Sequence, residues 1–382
     1  MKKALSIKWS FEKLLVHLFF VFFCAQILSP YFLGRTFYLE FLVALFNPYF
    51  HFWIYRQKIP KRFVWVLLAL FLMLLFFNIQ MFIKMVFMIV SVCFLFYVYE
   101  KKLFFWRPYL VVSIFFAVGQ FIFLFINPNF AISIGPTAIA QKIWGVYATK
   151  SLTNFYTIFF IPRVSGLSRE AGFFAAFLIS VLFFLYIEKR RTGHSIGIWV
   201  IVLLLLGFVL SFSKMSLFIF PLLFVERFRK VIDKVPFLAM LVFFVSAMIF
   251  LWIGKVSYLV DPVNESFLHR FGGYALFPSL NLGELIFGTG DLSSVGSPLI
   301  GALCSMGYDS FAGLSGFMIE KGILFSFLFF LMFLFFGVST SGLLVLLFLT
   351  INVQMDTSQN FVVMAYFLCF KFFIDKQYSL FP

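Results

Sequence analysis

The chain has 382 residues, of which 63% are hydrophobic and 12% charged, with 65 phenylalanines and a formal net charge of +15. Average globular chains carry about 25% charged residues, so an ordinary soluble domain is excluded. Apolar runs repeatedly reach the ~20 residues that an α-helix needs to cross a bilayer, which defines an all-α, polytopic transmembrane helical bundle.

The first apolar stretch, Leu14 to about Leu33, follows MKKALSIKWSFEK and has no small-residue cleavage site of the signal-peptide kind, so it is expected to stay as the first span. About twelve spans are expected in all, near 14–33, 37–55, 63–80, 82–99, 108–126, 171–187, 195–210, 214–225, 236–254, 314–337, 339–354 and 361–374. Pro221 makes the short span at 214–225 a candidate for a kink or tilt. Basic clusters punctuate the spans: Lys2, Lys3, Lys8 and Lys13; Arg56, Lys58, Lys61 and Arg62; Lys101, Lys102 and Arg107; Lys189 to Arg191; Arg227 to Lys234; Lys371 and Lys376. By the positive-inside rule these fall on the cytoplasmic side with both termini. The positive charge therefore reads as topology rather than as affinity for nucleic acid, and no nucleic-acid partner is expected.

The remaining composition is plain. Phenylalanine satisfies lipid-facing and core positions alike and carries no functional conclusion. Cys24, Cys93 and Cys369 lie in apolar spans and Cys304 alone in an outer loop, so no disulfide is expected within one chain. Histidines 17, 51, 194 and 269 are scattered without ligand spacing, and no metal site or cofactor is expected.

The expected topology leaves two extended loops on the non-cytoplasmic side, residues 127–170 and 255–315, within a single membrane domain covering 1–382. Polar groups and irregular backbone are costly in lipid, so chemistry is expected in these loops and the adjoining span ends. The first ends in FFIPRVSGLSREAGFFAAFLIS. Pro162 suits the opening of a helix, and Arg163 and Glu170 would share a face if the segment were helical. Arg163 and Arg169 offer planar forks of donors matched to phosphate oxygens, the alternative being that both snorkel at the headgroup level. SFSKM at 211–215 adds Lys214 to the same group of candidates. In the second loop, His269 and Arg270 precede an aromatic segment and a turn at Gly288 and Gly290, which lacks the context of a nucleotide cradle. His269 is either a loop histidine bonded to backbone or a general base. Asp309 is either a helix cap or a proton acceptor for a sugar hydroxyl, and Glu320 and Lys321 can be simple interface anchors.

The order of these pieces resembles the O-antigen polymerase and O-antigen ligase superfamily, the Wzy-type and ligase-type membrane glycosyltransferases of bacterial surface polysaccharides. The matching motifs are R-x-x-G with a following acid (Arg163, Gly166, Glu170) and L-S-x-S-[RK] (Leu210, Ser211, Ser213, Lys214). They continue with an arginine, an aromatic-Ala-Leu step and G-x-G (Arg270, Tyr274, Ala275, Leu276, Gly288, Gly290), then Asp309 and Ser310 before E-x-G-I (Glu320, Gly322, Ile323). The likeness covers about 160–325. Ligases of this superfamily carry a His-Asn-like pair where this chain has Tyr308 and Asp309, which favours polymerase.

The resemblance implies a GT-C-type fold in the bacterial inner membrane, with the site facing the periplasm. It implies transfer of a growing glycan from undecaprenyl pyrophosphate to the non-reducing end of a lipid-linked repeat unit. Its partners would be these lipid-linked oligosaccharides, membrane lipid and a chain-length regulator. Arg163 and Arg270, helped by Arg169 and Lys214, would hold the pyrophosphate without metal, with Glu170, Asp309 or His269 as base. The alternatives are a ligase joining glycan to lipid A core, and a flippase or transporter, which would place charges inside the bundle at broken helices.

Overall fold

A computed structural model describes residues 2–32, 35–57, 79–148, 157–158, 161–193, 196–235, 265–290, 292, 295–305, 310–335, 338–351, 353–357 and 359–378. The chain forms two compact units, 1–58 with 86–220 and 358–367, and 59–85 with 221–357 and 368–382. The described residues are mostly helical, and four helical stretches are long and apolar enough to cross a membrane: Phe82–Glu100, Trp106–Ile126, Ala171–Lys189 and Gly313–Phe333. The spans expected at 63–80 and 236–254 lie outside the described residues.

Unit 1 opens with α1 (Lys2–Cys24), a short 3-10 turn (Gln26–Leu28) and a hairpin of β1 (Tyr31–Phe32) and β2 (Arg35–Thr36). The expected span 37–55 is two helices, α2 (Leu39–Leu45) and α3 (Pro48–Arg56). The interruption is local chemistry. Pro48 has no N–H to continue a helix but suits its first position, and the Asn47 side chain accepts from Tyr49 N at 3.0 Å and Phe50 N at 3.1 Å. From Ile79 to Glu100 runs α4, whose residues from Val86 belong to unit 1, followed by α5 (Trp106–Ile126).

The described residues of the loop expected at 127–170 are largely folded. Asn127 and Pro128 start α6 (Pro128–Ser133) by the same Asn-Pro device, with Phe130 N donating to Asn127 Oδ1 at 3.1 Å. Then come α7 (Pro136–Trp144) and an antiparallel pair of β3 (Thr157–Ile158) and β4 (Ile161–Pro162). Trp144 Nε1 donates to Leu28 O at 2.9 Å, seating α7 on the turn after α1. The unit is completed by α8 (Ala171–Thr192), α9 (Ile198–Ser211), a 3-10 turn (Lys214–Phe218) and residues 360–367.

Phenylalanine fills this core with ring-on-ring contacts. Phe19 meets Phe94 at 4.4 Å between centroids, Phe94 meets Phe50 at 5.2 Å, and Phe104 stacks on Phe184 at 5.0 Å. Offset and edge contacts of this kind add attraction beyond simple burial.

Unit 2 contains most of α10 (Ile219–Arg227), α11 (Arg229–Ile232), α12 (Glu265–Leu276), α13 (Leu282–Phe287), α14 (Pro298–Ser305), α15 (Gly313–Phe335) and α16 (Thr340–Leu349). The last helix, α17 (Asn360–Tyr378), belongs to it from Leu368. Pro221 falls in the first turn of α10, where proline is tolerated. Against α15 pack α12, α13 and α16.

Within its apolar run α15 is interrupted: Gly322 takes φ 82° and ψ 159°. The interruption leaves carbonyls without their helical partners, and the turn after α13 supplies new ones. Thr289 N donates to Ile319 O at 2.9 Å and Gly290 N to Glu320 O at 3.1 Å. The approach is close enough that a Cβ on Gly288 would lie 2.4 Å from Glu320 O, and one on Gly322 would lie 2.2 Å from Ile286 O. Gly288 also has φ +88°, whereas Gly290, at φ +67°, has open space where its Cβ would be. Gly290→Ala is therefore expected to cost only the left-handed backbone penalty of ~1 kcal/mol. Gly288→Ala and Gly322→Ala should cost several-fold more, because the clamp must open; thermal unfolding in detergent with the three single variants checks the order.

Candidate functional site

The sequence-derived candidates divide between the units. Unit 1 holds Arg163, Arg169, Glu170 and Lys214; unit 2 holds His269 and Arg270; Asp309 lies outside the described residues.

The stretch from Arg163 to Glu170 is irregular, which corrects the expectation of a helix opened by Pro162. Pro162 ends β4, α8 starts only at Ala171, and Arg163 and Glu170 share no helical face. Hydrogen bonds tie the segment to three neighbours instead. Val164 N donates to Leu210 O at 3.1 Å, Ile27 N to Leu167 O at 3.2 Å, and Leu167 N to Ser113 Oγ at 3.2 Å. Gly166 turns at φ +57° against Ser113, where a Cβ would sit 2.9 Å from Ser113 Oγ and 3.2 Å from Phe174. Glycine is required here both by the backbone angle and by the approach. Val164 and Ser165 are buried, while Arg163, Arg169 and Glu170 are each half-buried.

Arg169 has two side-chain partners. Its Nη1 donates to Thr36 Oγ1 at 2.9 Å, and it hydrogen-bonds Tyr38, which also bonds Gln359. The fully buried Glu40 lies within electrostatic reach of Tyr38 and of Cys24. Glu170 occupies the position before α8 without capping it through its side chain. Lys214 is exposed at the start of its 3-10 turn, which is capped by Ser213, whose Oγ accepts from Met215 N at 3.2 Å. The hydrogen bond from Val164 to Leu210 brings the R-x-x-G segment beside the chain that leads into Ser211, Ser213 and Lys214, so two remote motifs share one end of unit 1.

In unit 2 the first half of α15 carries α12. Ser315 Oγ donates to Arg270 O at 3.0 Å, Ala312 N to His269 O at 2.7 Å, and Gly273 approaches Ser315 so that a Cβ would be 2.8 Å from it. His269 and Arg270 are half-buried. Burial and the neighbouring Arg270 guanidinium push the His269 imidazole down from 6.5 to about 4, against a hydrogen bond to the Ser310 backbone. Its ring is thus neutral at pH 7 and a feeble base. Burial also raises the Tyr274 phenol, which packs edge-on to Phe277.

Glu320 and Lys321 are not loose interface anchors. Lys321 Nζ lies 3.3 Å from Glu320 Oε2, with both side chains close to nine-tenths buried, and Gln354 Nε2 donates to Glu320 Oε1. Lys84 Nζ stands 3.9 Å from Asp356 Oδ2, whose side chain is buried, and both lie within electrostatic reach of Glu320. Sequence reading passed over Lys84, Gln354 and Asp356 in this unit, and Tyr38, Glu40 and Gln359 in unit 1. One signal was available: ionisable residues next to or inside apolar spans are functional candidates by default. Among the described residues no three His, Cys, Asp or Glu side chains gather as a metal site requires.

No family model, no curated protein and no solved structure matches the chain.

A depressed histidine pKa makes stability depend on pH. Between about pH 6.5 and 4 the unfolded chain binds a proton at His269 that the folded chain does not, so this contribution is complete above pH 6.5 and is lost as pH falls through that window. The melting temperature of the wild type is expected to fall across the window more steeply than that of His269→Gln, which has no proton to take up.

Proposed function

We propose that the chain is an integral membrane glycosyltransferase that polymerises a bacterial surface polysaccharide. It would transfer the growing glycan from undecaprenyl pyrophosphate to the non-reducing end of a lipid-linked repeat unit. On this reading the bundle has about twelve spans of a GT-C-like kind in the inner membrane, with both termini in the cytoplasm and the chemistry at the periplasmic side. The ordered motifs over 160–325 suggest it. The observation that carries it is the fixed irregular segment 163–170, with two half-buried arginines on a backbone tied to α5, α9 and the turn after α1.

An arginine that only snorkels needs a flexible stem and an accessible headgroup layer. Arg169 instead has its fork set by Thr36 and Tyr38 before any ligand arrives. Donors fixed in advance stabilise charge as it develops on a leaving pyrophosphate and cost no rearrangement during the reaction. In this proposal Arg163 and Arg169 in unit 1 and Arg270 in unit 2 are phosphate-binding groups, and the exposed Lys214 contributes less. Bidentate recognition explains arginine rather than lysine at these positions.

One observation favours the transporter reading. A membrane helix broken at Gly322 beside buried Glu320 and Lys321 is the kind of feature at which transporters bind substrate.

Deleting the gene in its host and restoring it with wild type or variants separates the readings on a gel of the surface glycan. A polymerase gives loss of the long ladder with one repeat unit still on lipid A core. Arg163→Ala, Arg169→Ala and Arg270→Ala are expected to restore the ladder ~100-fold less well than wild type, as for removal of one charge-stabilising donor. Lys214→Ala should restore most of it. Bare core with polymer accumulating on the carrier would mean a ligase. An unchanged ladder after deletion would point to transport.

A further inference from the structure

The polar groups around the break in α15 form a site that the motif reading leaves without a role. Lys84 comes from the start of α4, Glu320 and Lys321 from α15, and Gln354 and Asp356 from the turn after α16. Two carboxylates face two ammonium groups, so the four formal charges sum to zero. Burying an ion pair of this kind returns little net stability, because desolvation offsets the attraction, and a well-packed apolar group of similar volume would serve as well. Four charges at one place in an apolar bundle therefore call for a function.

We propose that Glu320 is the carboxylate that receives the proton of the attacking sugar hydroxyl. The proposal rests on the polymerase reading. Three observations carry it. First, Glu320 is fixed: its backbone carbonyl accepts from Gly290, it lies two residues before the Gly322 break, and its two oxygens are engaged by Gln354 and Lys321. A carboxylate has about four acceptor positions, so these two contacts leave room for a hydroxyl to donate. Second, Glu320 is the member within reach. Its side chain is 13% exposed, whereas that of Asp356 is 1% exposed, behind its pair with Lys84. Third, Glu320 shares a frame with a phosphate-binding candidate. It lies five residues beyond Ser315 on the half of α15 whose Ser315 Oγ donates to the Arg270 backbone. His269, on the same helix as Arg270, is disqualified by its low basicity.

In the step, the hydroxyl O–H bond breaks and its proton goes to a Glu320 oxygen. The hydroxyl oxygen forms the new bond to the anomeric carbon of the donor glycan. The bond from that carbon to the phosphate oxygen breaks, and its electron pair leaves on the pyrophosphate. Glu320 then gives the proton to water. Lys321 and Lys84 attract the negative form of the carboxylate, Asp356 pairs with Lys84, and Gln354 sets the orientation. Among the described residues, the charged groups within reach of Glu320 are Lys321 on its own helix, Lys84 on α4 and Asp356 on the turn after α16.

The test uses the full-length protein in detergent or lipid discs with a lipid-linked repeat unit as substrate, and compares wild type, Glu320→Gln, Glu320→Asp and Glu320→Ala. Glu320→Gln keeps the size of the side chain and can still bond Gln354. It is expected to lose ~100-fold or more in kcat with KM little changed, the range for losing a general base. Glu320→Asp should retain part of the rate, and sodium formate should restore part of the rate of Glu320→Ala but none to Glu320→Gln. A structural role moves folding and not formate rescue. The proposal falls if Glu320→Gln keeps its rate within a few-fold of wild type, or if formate fails to rescue a folded Glu320→Ala protein. If wild type itself makes no polymer from the repeat unit, the polymerase reading falls, and that result is distinct from an active wild type with an active Glu320→Gln.

Discussion

Backbone carbonyls inside an apolar bundle must be hydrogen-bonded by the protein itself, and unit 2 is arranged around one place where this is not automatic. Where α15 breaks at Gly322, Ile319 and Glu320 turn their carbonyls to the backbone of Thr289 and Gly290. These donors take the place of the missing helical ones, so the break and the glycine turn support each other. Gly288 and Gly322 are glycine because the two backbones meet with no room for a side chain. The turn is therefore neither a phosphate cradle nor a passive reversal of the chain. It is the clamp that lets a membrane helix change direction, and it fixes Glu320, two residues before the break, beside Lys321 and Gln354.

Unit 1 answers the same demand differently. Its irregular segment at 163–170 is satisfied by Ser113, Ile27 and Leu210, each from a different element. That is an expensive way to connect a strand to a helix, since each fixed residue of irregular backbone costs ~1–2 kcal/mol of conformational entropy. The outcome is a pair of arginines whose backbone cannot drift. Both units thus place irregular, internally bonded backbone beside ionisable side chains, a combination that chemistry needs and lipid alone does not.

The two arrangements differ in what they offer a ligand. The unit 1 segment presents guanidinium groups, with the buried Glu40 within electrostatic reach of Tyr38. The unit 2 break presents a balanced set of carboxylates and ammonium groups. Taking one partner from such a buried pair strands the other at a cost of about 3–5 kcal/mol. Substitution effects in unit 2 therefore combine folding and chemistry unless a readout such as formate rescue separates them, whereas the half-buried arginines of unit 1 are read more directly.

The sequence by itself determined the class of protein. Runs of ~20 apolar residues and the placement of Lys and Arg define a helical membrane protein, and α5 and the starts of α8 and α15 fall within two residues of the expected spans, because hydropathy acts locally along the chain. The Asn-Pro pair at 47–48 was also readable as a helix start within an apparent span. What only the tertiary structure decided is which polar groups meet. Arg163 and Glu170 proved not to share a helical face, because the 163–170 backbone is held by remote partners and not by its own turn. Thr36, Tyr38 and Gln359 around Arg169 come from points more than 300 residues apart in sequence, and Lys84, Glu320 and Asp356 likewise come from separate elements far apart in the chain. Pairings of this kind depend on how helices pack laterally, and periodicity and charge counting along one chain carry no information about that.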